Sequence, residues 1–108
     1  MDDSHIHVDA KLHADAATRI MLAETFGLVS DLPTVAATGC GLRVAYAMTS
    51  SRPESVTCLA CRQFAAEEHR RAAEQALQLA RMPGIGVPVA QLTEAAAKHR
   101  ALAARFSR

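Results

Sequence analysis

The segment Val56-Thr57-Cys58-Leu59-Ala60-Cys61 decides how this chain is interpreted, because it places a Cys-x-x-Cys pair directly before a strongly helical stretch. A third cysteine, Cys40, lies in the glycine-flanked turn Thr38-Gly39-Cys40-Gly41. Two intervening residues let the paired sulfurs converge on one point, and the flanking glycines leave room for a tight knuckle. Three thiols and one histidine complete a closed tetrahedral zinc site. The sequence therefore predicts zinc bound by Cys40, Cys58, Cys61 and one histidine.

The fourth ligand must come from five histidines. His69 follows Cys61 in the same predicted helix at a distance of about 12 Å, given a rise of ~1.5 Å per residue, and is too far away. His99 shares the apolar face of the last predicted helix and is expected to be a packed core histidine. The segment 5–13, which alternates imperfectly and could be a strand, carries the other three, His5, His7 and His13. Because termini are often disordered, we expect His13 to be the ligand, with His7 next.

Local patterns predict the order of the elements. Residues 14–25 are ambiguous between helix and strand, Gly27 ends that stretch, and residues 30–33 form a turn. Alternating residues 42–48 predict a strand that the turn at Cys40 closes into a hairpin. Residues 59–81 and 88–106 predict two amphipathic helices in an antiparallel hairpin. The prediction is an α+β fold in a single domain, 1–108, with a β-hairpin and zinc knuckle in 1–58 and a helical hairpin in 59–108.

Apolar stripes are expected on both helices. The first stripe comprises Phe64, Ala65, Ala72, Ala76 and Leu79, and the second comprises Leu92, Ala96, His99, Ala103 and Phe106. The charge run Glu67-Glu68-His69-Arg70-Arg71 predicts a solvated face with a pair between Glu67 and Arg71.

The composition limits the size of the core. Half of the 108 residues are apolar, but 23 of the residues are alanines, and the chain has no tryptophan, one tyrosine and three phenylalanines. Alanine buries little surface, so the hydrophobic core is thin, and such domains often recruit a metal ion or a partner subunit.

Charge and hydropathy limit where the protein is expected to be located and what it is expected to bind. No run of ~18 apolar residues could span a membrane, and the acidic start of the chain differs from a secretory signal. We therefore expect a cytoplasmic protein, in which an odd number of cysteines favours metal or catalytic thiols over disulfides. Residues 1–61 carry four basic and seven acidic side chains, while residues 62–108 carry eight and four. The helical half is mildly basic, which is a weak indication of nucleic-acid binding.

The motif Thr38-Gly39-Cys40-Gly41, followed by Val56-Thr57-Cys58-Leu59-Ala60-Cys61-Arg62, resembles a pattern in short uncharacterised proteins of actinobacteria, phages and plasmids that are classed as zinc-binding. These proteins carry a histidine, then Thr-x-Cys-Gly, then Val-Thr-Cys-x-x-Cys. The resemblance covers residues 36–62 and implies that Cys40, Cys58 and Cys61 are metal ligands. In that pattern the histidine lies shortly before the knuckle, whereas residues 14–39 contain none here.

Three functional hypotheses follow. The first is a small zinc-stabilised, non-enzymatic binding or regulatory protein whose helical hairpin mediates homodimerisation or contacts a protein or nucleic acid. The alternative is a thiol redox protein or sensor that uses Cys58 and Cys61. The third is an interaction module with incidental, buried cysteines. No phosphate-binding loop, nucleophile elbow or His-Glu-x-x-His motif is present, so neither an enzyme nor a small-molecule substrate is expected.

Overall fold

The computed structural model describes residues 4–24 and 35–108, with residues 22–24 described by their backbone alone. The elements in chain order are α1 (Leu12–Glu24), β1 (Val35–Ala37), β2 (Arg43–Ala45), α2 (Leu59–Ala80) and α3 (Val89–Phe106). Short 3-10 turns occupy Tyr46–Met48 and Pro53–Ser55. The predicted α+β fold, a β-hairpin followed by two helices, is confirmed. The features predicted at Gly27 and at residues 30–33 lie outside the described residues.

The two strands form an antiparallel hairpin around the Cys40 turn. Val35 pairs with Ala45 and Ala37 with Arg43, and Gly41 has the positive φ of 93° that a side chain would disfavour. The predicted strand 42–48 is too long, since β2 ends at Ala45. The chain turns there because the backbone N–H and hydroxyl of Thr49 both donate to the carbonyl of Tyr46, at 3.0 and 2.7 Å.

The N-terminal segment is extended only over its first part. His7 forms a parallel bridge with Thr49, and Asp9 forms an antiparallel bridge with Thr38. The Asp9 carboxylate then accepts the backbone N–H of Lys11 at 2.8 Å, an Asx-turn that leads the chain into α1. The ambiguous stretch 14–25 is therefore helical as far as Glu24.

A buried carboxylate, Asp15, anchors α1. It accepts Nε of Arg19 at 2.8 Å and the hydroxyl of Tyr46 at 2.5 Å. The Arg19 guanidinium also lies 4.6 Å from the centre of the Tyr46 ring and donates to the hydroxyl of Thr49 at 2.8 Å. Because Thr49 pairs with His7, this network supports the backbone beside that histidine.

The chain divides into two compact units, Met1–Phe64 and Ala65–Arg108. The single domain with a division at residue 58 stays a prediction. In the C-terminal unit α2 and α3 pack through Ala73, Ala76 and Ala96, with Leu77 against them. Alanines permit close approach of two helices, because the distance between helix axes depends on the side chains at the contact.

Two details of α2 differ from the predicted surface pattern. Leu79 is exposed, whereas Ala73 and His69 are buried. The charge run pairs Arg70 with Glu67 and Arg71 with Glu68, at 3.7 and 3.5 Å, instead of joining Glu67 to Arg71. No helix among residues 4–24 and 35–108 combines the length and apolarity needed to cross a bilayer.

Candidate metal centre

The extended segment around His7 is the structural centre of the N-terminal unit. The backbone carbonyl of Val8 accepts the N–H of Gly39 at 2.9 Å, next to Cys40. The carbonyl of Ile6 accepts the N–H of Cys58 at 3.1 Å. These backbone bonds bring the knuckle and the Cys-x-x-Cys pair to opposite sides of one histidine.

The four side chains converge on one point. The ligand atoms of His7, Cys40, Cys58 and Cys61 all lie within 4.8 Å of one another. Nδ1 of His7 lies 3.5 Å from the sulfurs of both Cys40 and Cys61. In a tetrahedral site with Zn–S of about 2.3 Å and Zn–N of about 2.0–2.1 Å, a sulfur and a nitrogen are about 3.5–3.6 Å apart. The observed spacing therefore fits an ion held by all four groups.

The start of α2 positions the cysteine pair. The carbonyl of Cys58 accepts the N–H of Arg62 at 2.9 Å, so Cys58 immediately precedes the helix and Cys61 lies in its first turn. The Arg62 guanidinium donates to the carbonyls of Pro53 and Val56 and holds the preceding loop. A helix N-terminus favours negative charge, which suits thiolates at both positions.

Thr38 supports Cys40 from the neighbouring position on the hairpin. Its hydroxyl oxygen accepts the N–H of Leu42 at 2.9 Å and lies 3.1 Å from the Cys40 sulfur. A hydroxyl has a single proton. A Cys40 thiolate has no proton to donate, so the Thr38 hydroxyl would be the donor to it and would stabilise its negative charge.

The two sulfurs nearest His7 have different acidities in the metal-free protein. Burial raises the pKa of Cys40, but hydrogen bonds from Thr38, Cys61 and His7, together with the backbone of Leu42, outweigh burial and lower the pKa to about 7. Burial is the largest cause of the raised pKa of Cys61, about 11. A bound divalent ion would deprotonate both thiols, because a coordinating thiol loses its proton.

The structure brings three of the four predicted ligands together, and a different histidine lies beside them. Cys40, Cys58 and Cys61 share the cluster with His7, whereas His13 is not a member of it. His13 is the second residue of α1 and is exposed. α1 begins before His13, so the strand expected to carry His13 toward the cysteines ends too early. His5 is exposed and its Nδ1 lies 3.2 Å from the Thr57 hydroxyl.

Two features of the centre go beyond the sequence prediction. Thr38 acts on the Cys40 sulfur, and its spacing of two residues from that cysteine is the visible indication of its role. The ring of Phe64 lies so close to Gly39 that a Cβ on Gly39 would overlap Cδ1 of the ring. Gly39 is therefore required for close packing of the knuckle on α2.

The centre has the donor set and spacing of a possible Cys₃His metal site. No protein-family model, curated protein or solved structure matches this chain.

Proposed function

We propose that this chain is a small zinc-stabilised, non-enzymatic binding or regulatory protein in which His7, Cys40, Cys58 and Cys61 hold one structural zinc ion. The observation that carries the proposal is the 3.5 Å spacing of the His7 Nδ1 atom from two sulfurs, with all four ligand atoms within 4.8 Å. Three cysteines and one histidine are a common ligand set of structural zinc.

A closed ligand set supports a structural role for the ion. Catalytic zinc keeps a coordination position for water or substrate, whereas structural zinc has four protein ligands. Four groups converge here, and two of them, His7 and Cys61, are 2% and 0% exposed. One cavity of about 170 Å³ in the described part of the same unit is lined by residues other than these four.

The small core supports the same role. Apart from Cys61, the buried apolar side chains in the described part of the N-terminal unit are Val8, Leu12, Ala36, Pro53 and Val56. The buried polar side chains of that unit include His7, Asp15, Thr38 and Thr49. Small domains with few large apolar side chains commonly gain folding free energy from a metal ion.

We further propose that the helical hairpin makes the contacts through which the protein acts. Apolar side chains are exposed around the turn between α2 and α3, namely Leu79, Met82, Val87 and Val89. Exposed apolar patches are typical of protein–protein interaction sites, whereas nucleic-acid interfaces are more polar and more positively charged. Self-association or a protein partner is thus favoured, and an affinity that falls steeply with added salt would instead indicate nucleic acid.

From the motif pattern, we also propose that the chain is related to the short zinc-binding proteins described above.

Elemental analysis combined with thiol alkylation tests the zinc proposal. Protein purified without a histidine tag and dialysed against a weak chelator should retain about one zinc ion per chain, with all three cysteines protected from alkylation. A strong chelator should expose the thiols and unfold the N-terminal unit, because binding free energy is folding free energy in such sites.

The redox alternative makes the opposite prediction. Thiols that react freely without chelator, in a protein that holds no zinc, would overturn the zinc proposal. A reversible disulfide between Cys58 and Cys61 would then indicate a thiol redox protein or sensor. Stable folding with all three cysteines replaced by serine would indicate that the cysteines are incidental.

A further inference from the structure

A second pair of ligand-type side chains lies in the C-terminal unit, separate from the cysteine centre. His69 on α2 and His99 on α3 place their Nδ1 atoms 2.9 Å apart, with ring centroids 5.1 Å apart. The His69 ring also stacks on Phe106 at 5.8 Å and 19°. His69 is 5% exposed and Phe106 is 2% exposed. The pair is therefore held by packed neighbours on both helices.

We propose that His69 and His99 form a second metal site, which binds a divalent transition-metal ion such as zinc through both Nδ1 atoms. Imidazole nitrogen is a preferred ligand of zinc, copper and nickel. With Zn–N of about 2.0–2.1 Å, two nitrogens on one ion lie about 2.9 Å apart at a right angle and about 3.3 Å apart at the tetrahedral angle. The observed separation needs an opening of at most about 0.4 Å to accept the ion.

The orientation of the rings matches this role. Both histidines turn the same atom, Nδ1, toward a common point. In the metal-free protein one Nδ1 carries a proton and the other accepts it, so the two rings are opposite tautomers. When an ion binds, both Nδ1 atoms present lone pairs, and the single shared proton moves to Nε2 of the ring that held it. No electron is transferred and no proton is lost overall.

The packing of the unit fixes the distance between the two ligands. Ala73, Ala76 and Ala96 hold α2 and α3 together, and Phe106 supports the His69 ring from one side. His99 is only half-buried, so further ligands can reach an ion at the pair. The resulting site is open and exchangeable, in contrast to the closed cysteine centre, and an ion in it would join α2 to α3.

Zinc titration of the loaded protein tests this inference. Untagged protein with one zinc in the cysteine centre is titrated with Zn²⁺ by calorimetry, and imidazole ¹⁵N resonances are recorded alongside. We expect a second equivalent of zinc to bind and to shift the Nδ1 resonances of His69 and His99. His99→Gln should weaken that second binding at least tenfold, whereas the matched control His5→Gln, an exposed histidine outside both clusters, should bind as the wild type does.

Three readouts keep the result interpretable. Melting temperatures show whether His99→Gln folds, and the ¹⁵N shifts of the wild-type protein test the site without any substitution. Unmoved His69 and His99 resonances, or unchanged zinc binding by folded His99→Gln, would show that the pair is only a packed hydrogen bond.

Alkylation of the cysteines distinguishes a failure of this inference from a failure of the proposed function. Protected thiols without a second equivalent overturn the histidine site alone, and reactive thiols with the second equivalent present overturn the cysteine centre alone.

Discussion

Nδ1 of His7 lies 3.5 Å from the sulfur of Cys61, although 54 positions separate the two residues in the chain. The backbone explains this meeting, because the carbonyls on either side of His7 accept N–H groups from the knuckle and from Cys58. The histidine is therefore part of the framework that gathers the cysteines, and its replacement should affect both metal binding and folding.

Replacing His7 by Gln should weaken zinc binding by more than the roughly 10- to 100-fold that loss of an outer-shell partner costs, since a direct ligand is removed. The matched variant His13→Gln should retain the affinity of the cysteine centre. Competition with a chromophoric zinc chelator, followed by alkylation, measures both. If His13→Gln exposed the thiols and His7→Gln did not, the fourth ligand would have been assigned to the wrong histidine.

Thr38→Val should weaken zinc binding roughly 10- to 100-fold, because it removes the hydroxyl beside the Cys40 sulfur. Thr38→Ser keeps that hydroxyl and should restore most of the affinity. The same chelator competition distinguishes them. Equal affinities for the Val and Ser variants would mean that the hydroxyl does not support the thiolate.

Gly39→Ala should destabilise the protein by about 1–3 kcal/mol, the usual cost of overpacking a filled site, because the new methyl group would overlap the Phe64 ring. Removal of the ring in Gly39→Ala/Phe64→Ala should recover part of the loss relative to Phe64→Ala alone. Urea unfolding of the four proteins in a double-mutant cycle measures the coupling. A coupling of zero would contradict this close approach.

Gly41→Ala tests backbone conformation without a packing conflict. No atom lies within 4 Å of the position that a Cβ on Gly41 would take, but the φ of Gly41 is +93°, so the substitution should cost about 1–3 kcal/mol. Gly84→Ala has the same open surroundings at φ +77° and lies in the other unit. Both variants should lower stability, but only Gly41→Ala should speed alkylation of Cys40. Equal alkylation rates would show that the turn does not shape the centre.

The Tyr46 phenol should lose its proton at a higher pH than an ordinary tyrosine does. Burial, then the hydrogen bond and negative charge of Asp15, raise its pKa from 10.0 to about 12. The folded state therefore holds this proton more tightly than the unfolded chain does. The resulting stability is complete below pH 10.0 and is lost as the pH rises toward about 12.

Tyr46 is the only tyrosine in a chain without tryptophan, so ultraviolet tyrosinate absorbance reports it alone. Asp15→Asn should lower the midpoint toward the ordinary value, since it removes the carboxylate charge. A midpoint near 10 in the wild-type protein would show that the contact between Tyr46 and Asp15 does not persist in solution.

Features that depend on neighbouring residues were predictable from the sequence. The bounds of α2 and α3 follow helix formers bracketed by Pro83, Gly84 and Pro88, and the hairpin follows the glycines around Cys40. The grouping of three cysteines was also predictable, because Cys-x-x-Cys and a glycine knuckle both aim thiols at one point.

Features set by contacts between distant segments were not predictable. Periodicity does not show that α1 begins before His13, so the sequence alone favours His13 over His7, the histidine that lies with the cysteines. The contact of Asp15 with Tyr46 joins a helix to a turn 31 residues later, and no local pattern marks it. His69 lies in a run of charges typical of a solvated face, yet its ring packs against His99 and Phe106.

The four converging groups lie far apart in the sequence, so they are synthesised at different times. His7 leaves the ribosome early. It cannot contact Cys61 until the Cys-x-x-Cys pair has also left the ribosome. Translation runs at about 5–20 residues per second, so the nascent N-terminal unit spends seconds as an unclosed chain with reduced thiols. For the proposed zinc centre, the supply of zinc during those seconds would then limit how much of the newly made protein folds.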